Sequence, residues 1–63
     1  MFRVIEKGKS GDTVYVDNPK MAAYKQMAYI QNILGRHYSL ICHADGRFTV
    51  NGDGLASITY AQD

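Results

Sequence analysis

Any chemistry in this 63-residue chain would have to come from few side chains. They are Cys42-His43 with His37, the turn-like Gly8-Lys9-Ser10, the run Asn51-Gly52-Asp53-Gly54, and scattered acids of which Glu6 alone falls inside an apparent strand. A thiol beside an imidazole pairs a nucleophile with a base, and also pairs two metal ligands. Neighbours in an extended strand point to opposite faces, however, so Cys42 and His43 cannot share one ion or one proton. His37 and His43 share a face but lie about 20 Å apart along the strand. Cys42 therefore reads as a small buried core residue, the usual fate of a free cysteine.

The other motifs fail on spacing. Gly8-Lys9-Ser10 matches the end of a phosphate-binding loop, but that loop needs a glycine where Arg3 stands and a helix where Thr13-Val14-Tyr15-Val16 reads as a strand. It is a hairpin turn. Asn51-Gly52-Asp53-Gly54 lacks the ligand series and closing glutamate of a calcium loop, and reads as a turn as well. A Ser39, His43 and Asp45 set has no spacing to support it, and no two titratable groups are placed for acid-base work. The sequence predicts a non-enzymatic protein with neither cofactor nor metal.

The elements that position these residues are short and sharply punctuated. Phe2 to Lys7 reads as a strand and Gly8 to Asp12 as a turn, with Thr13 to Val16 returning as the second strand of a hairpin. Asp17-Asn18-Pro19 supplies a side-chain cap followed by proline at the first helical position, and Gly35 suits the left-handed residue that ends a helix, so one helix is expected from 19 to 34. Strands follow over Tyr38 to His43, Arg47 to Val50 and Leu55 to Tyr60, with Ala61 to Asp63 fraying. The fold class is α+β: a single helix packed on an antiparallel sheet of four to five strands in the order ββαβββ, as one compact domain over residues 1–63. A chain this short holds only one core.

Periodicity assigns faces. A period of 3.6 places Ala23, Met27, Ile30, Ile33 and Leu34 toward the sheet. Alternation turns Phe2, Val4, Val14, Val16, Leu40, Cys42, Phe48, Val50, Ala56 and Ile58 toward the helix, and Ile5, Tyr15 and Ile41 to the opposite face with Arg3, Lys7, His43 and Arg47. One helix covers about 10 Å of a sheet some 20 Å wide, so the far face is either solvated or meets a partner. On the outer side of the helix, Met21, Tyr24 and Ala28 form a stripe flanked by Lys20 and Lys25.

Composition sets the functional classes. With 46% hydrophobic and 21% charged residues the chain is globular, and its net charge of +1 gives no strongly basic footprint. The single cysteine and a start without a signal-peptide layout point to a cytoplasmic protein, and no apolar run is long enough to span a membrane. The expected function is a small protein-protein interaction module, an inhibitor or accessory protein in the format often encoded by phages and mobile elements. Its partner is another protein or protein complex, met through Tyr24, Met21, Lys20 and Lys25, with Tyr15, Ile5 and Ile41 on the open sheet face as a homodimer surface. The alternative is a nucleic-acid-binding module in which Lys20, Lys25 and Arg36 contact phosphates and Tyr24 stacks a base.

Overall fold

The computed structural model describes residues 1–62. The chain forms β1 (Phe2–Glu6), β2 (Val14–Val16), α1 (Pro19–Ala28) continuing as a π-helical turn (Tyr29–Ile33), β3 (Tyr38–Cys42), β4 (Phe48–Gly52) and β5 (Ile58–Gln62). The five strands make one antiparallel sheet in the order β2-β1-β5-β4-β3, with the helix packed on one face. The expected α+β class and ββαβββ order are therefore observed. Two hairpins, β1-β2 and β3-β4, are joined through β5, which pairs with β1 on one side and β4 on the other.

The helix starts where its sequence says it should. Asn18 Oδ1 accepts the Met21 N–H at 3.1 Å, and Pro19 occupies the first turn, where no donor is needed. The far end differs from the uniform helix expected to Leu34. From Tyr29 the hydrogen bonds widen, the Leu34 N–H reaching the Tyr29 carbonyl at 3.1 Å and the Arg36 N–H the Ile30 carbonyl at 3.0 Å. A wider turn delays the phase of the side chains beyond it. Ile33 is consequently 70% exposed, and Leu34 is exposed as well, although an unbroken 3.6 period would have turned both toward the sheet. Gly35 then closes the element at φ 65°.

The core is small: Ala23, Met27 and Ile30 from the helical segment meet Val50 and Tyr60 of the central strands, with Val4, Val16, Ala22, Phe48 and Ile58 half-buried around them. Ile30, 1% exposed, sits at its centre. The close approach there explains Gly52, since a Cβ at that position would lie 3.1 Å from the Ile30 Cδ1 and 2.8 Å from the Leu55 Cδ1. Three strand expectations shift. Asn51 and Gly52 belong to β4 rather than to a turn, β5 starts at Ile58 rather than Leu55, and Ala61 is buried in β5 rather than fraying. Asp63 lies outside the described residues. Cys42, Leu40 and Val14 keep the expected parity but are exposed, because β3 and β2 are the edges of the sheet and the helix packs chiefly over β4.

Two measurements check this packing. Ile30→Ala is expected to lower unfolding free energy by about 2–5 kcal/mol, and Ile33→Ala by no more than about 0.5 kcal/mol, in denaturant titrations; equal costs would place the π turn in the wrong phase. Burial raises the Tyr60 hydroxyl above its ordinary value of 10.0. The folded state thus favours the neutral phenol, and its contribution is complete below pH 10.0 and lost as pH rises toward the raised folded value. Tyr60→Phe is expected to flatten the alkaline fall in melting temperature relative to the parent protein.

Candidate functional surfaces

The helix-side candidates divide between the crest and one flank of α1. Lys20 and Tyr24 lie toward β3, where they line, with Ala23, Met27, Leu40 and Phe48, a shallow groove of about 130 Å³. Tyr24 is 67% exposed and stands over that groove, while Met21, 55% exposed, occupies the crest of the helix opposite the core stripe. Lys25, four residues beyond Met21, sits beside it on the crest by the same period, well away from the groove that Lys20 lines. Arg36 is occupied elsewhere: its guanidinium donates to the Asp53 carbonyl at 2.9 Å, and it lies past the far end of the helical segment, roughly 20 Å along the axis from Lys20. The structure brings Lys20 and Tyr24 together at the groove and Met21 and Lys25 together on the crest, and leaves Arg36 apart from them.

The open sheet face follows the expected parity. Ile5, Thr59, Thr49 and Ile41 form one row across four strands, and Tyr15 pairs with Arg3 in the next. Ile5 and Ile41 therefore stand about 14 Å apart with two threonines between them, while Tyr15 is a diagonal neighbour of Ile5. The three residues share a face without forming one apolar patch. Thr49 and Ala61 are nearly buried on this face although no element covers it, shaded by longer neighbours in flanking strands.

What residue spacing did not suggest is the polar chain through that row. His43 Nε2 lies 2.7 Å from Thr49 Oγ1, which lies 3.0 Å from Thr59 Oγ1, so one imidazole and two hydroxyls tie β3, β4 and β5 together. The β-hairpin register creates this contact, and an alternation count over both threonines with His43 was the signal that could have found it. His43 thus engages Thr49 rather than Ser39, and Asp45 faces Arg47. The Asp45 carboxylate accepts the Arg47 backbone N–H at 3.2 Å and is paired with its guanidinium at 2.9 Å. The backbone hydrogen bond first, and the guanidinium second, hold its carboxyl below the ordinary 3.8. Whatever this lends the turn is present at neutral pH and is lost as pH falls below 3.8.

Among the described residues no three His, Cys, Asp or Glu side chains converge as a metal site, and every buried side-chain nitrogen and oxygen has a partner. No helix is long and apolar enough to cross a membrane. A wider cleft of about 390 Å³ opens beneath the β1-β2 turn, where Arg3, Glu6, Lys9 and Asp12 mix both signs of charge. Comparison with protein-family models, with characterised proteins and with solved structures finds no match to this chain.

The threonine chain has a measurable coupling. Thr49→Val and Thr59→Val are each expected to cost about 1 kcal/mol, the usual net worth of a hydrogen bond. The double variant should fall short of the sum by about 0.5 kcal/mol or more, since both remove one shared bond. Strict additivity in chemical denaturation would show that the hydroxyls do not act as a pair.

Proposed function

We propose that this chain is a small, non-enzymatic protein-protein interaction module that binds another protein through the crest and β3-side flank of α1. The observation that carries this reading is Tyr24. It is a large aromatic side chain left two-thirds exposed beside an apolar groove, with Met21 on the crest and Lys20 at the rim. Tyrosine combines broad contact area with a polar tip, methionine adapts to the partner's shape, and a neighbouring cation steers the approach. An inhibitor or accessory protein that blocks a partner's surface needs no more than this. A cytoplasmic setting is part of the proposal, because an exposed free thiol at Cys42 suits a reducing compartment.

One observation favours a second reading. On the open sheet face Tyr15 is flanked by Arg3, with Lys7 of the same parity, and no carboxylate projects from a strand there; Arg47, of that parity too, is already paired with Asp45. A flat sheet with an aromatic among cations is a format that stacks a base and contacts phosphates. In this reading the nucleic acid would lie on the sheet rather than on the helix, where Lys20, Lys25 and Arg36 are dispersed.

Salt and mutation separate the two. For a protein partner captured from the source cell, Tyr24→Ala and Met21→Ala are each expected to weaken binding by about 1–2 kcal/mol in calorimetric titration, while added salt acts mainly on the association rate. Steep log-linear loss of affinity for a generic single-stranded oligonucleotide with salt, abolished by Arg3→Ala and indifferent to Tyr24→Ala, would establish the second reading instead.

A further inference from the structure

The two edges of the sheet are built differently. β2 is three residues long, follows a glycine- and lysine-bearing loop, and ends at Asp17-Asn18-Pro19. Short length, charge and proline are the usual means of keeping a sheet edge from pairing. β3 has none of them: Tyr38-Ser39-Leu40-Ile41-Cys42 is five residues long, uncharged and free of proline, and every one of its residues is exposed.

The hydrogen-bond pattern shows which groups this edge offers. The His43 N–H donates to the Arg47 carbonyl at 2.9 Å and the His37 carbonyl accepts the Asp53 N–H at 3.0 Å, so the odd-numbered residues direct their backbone groups toward β4. Tyr38, Leu40 and Cys42 therefore present N–H and C=O outward. From this edge we propose that the chain forms a symmetric homodimer by antiparallel pairing of β3 with β3 of a second copy, centred on Leu40.

The sequence of β3 is complementary to itself in that register. Leu40 meets the second copy's Leu40, Tyr38 meets its Cys42 and Ile41 its Ser39, so every large side chain off the centre faces a small one and no like charges oppose. Each of the three outward-facing pairs exchanges two backbone hydrogen bonds, six in all. The two-fold axis runs perpendicular to the sheet, which puts both helices on one side of a ten-stranded sheet. The two β4 strands are then about 14 Å apart, wider than the roughly 8–10 Å of direct helix packing. Tyr24 and Leu40, 67% and 41% exposed in the single chain, stand where that gap needs filling. The open sheet face makes a poorer dimer surface, because threonines separate Ile5 from Ile41. This pairing covers Tyr24 and the β3-side flank of α1, so it competes with a partner bound there, while Met21 on the crest stays exposed in either state.

The interface is small beside the roughly 20–30 residues a side of a standard one, so the dimer should be concentration-dependent. Light scattering between about 10 and 500 µM, spanning the affinities of small interfaces, is expected to show the mass rising from 7.0 kDa toward twice that value. Leu40→Lys, which sets two ammonium groups opposite each other, should hold the mass at 7.0 kDa with an unchanged circular dichroism spectrum. Because that variant could lose structure, a second one reads the register directly. Leu40→Cys combined with Cys42→Ser places two thiols on Cα atoms about 5.5 Å apart, within disulfide range, and should cross-link on mild oxidation. The native Cys42 thiols, about 14 Å apart along the seam, should not. A mass fixed at 7.0 kDa throughout the range overturns the proposal. So does a dimer that is insensitive to both Leu40 variants or is broken by Tyr15→Ala instead.

Discussion

The constraint behind this structure is a shortage of cover. Among the described residues a ten-residue α-helix with one π turn is the only layer laid on a sheet of five strands, and it shields about half of the sheet's width. The central strands benefit: Val50 and Tyr60 are buried beneath Ala23, Met27 and Ile30. The edges do not, and the exposed apolar residues Val14, Leu40 and Tyr38 are the result. The groove beside Tyr24, the bare backbone of β3 and the solvated far face all follow from that one geometric mismatch.

Where packing is thin, local chemistry fixes the arrangement. Asn18 caps the helix, Asp45 and Arg47 close the β3-β4 turn, and Arg36 ties the segment after the helix to the loop following β4. The His43-Thr49-Thr59 chain does the same for the far face. None of these replaces a second layer, but a register slip of β3 on β4 or of β4 on β5 would break the threonine chain.

Much of the fold was legible because its punctuation is strong. Asn18-Pro19 and Gly35 bracket the helix, glycine-rich turns separate the strands, and the alternation of β1, β3 and β4 assigned their faces correctly. Three features were not legible, each for a physical reason. Hydrophobic periodicity assumes a constant turn, so it could not see the π turn that rotates Ile33 outward. Alternation reports face and not position within the sheet, so Cys42 read as core when its strand is an edge. Composition favoured a break at Asn51-Gly52, yet Gly52 continues β4 because Ile30 occupies the space a side chain would need. The candidate surfaces were legible as residues, Tyr24 and Met21 above all, but the groove beside them needed the strand order, which no local pattern encodes.

The strand order also bears on how the protein is made. β5 is synthesised after the other four strands, yet it lies between β1 and β4 and joins the two hairpins. Each hairpin closes a short local loop in about 1–10 µs, whereas pairing β5 with β1 must close a loop that runs across almost the whole chain. Until β5 pairs, the chain is two hairpins with unfilled inner edges on β1 and β4, next to a helix with nothing complete to cover. Arrival of Ile58 to Gln62 converts two marginal hairpins into one cooperative sheet. A chain deprived of those five residues would leave two inner edges bare, and a bare edge is a template on which another chain can pair, so the last strand of the sequence is also the fold's guard against aggregation.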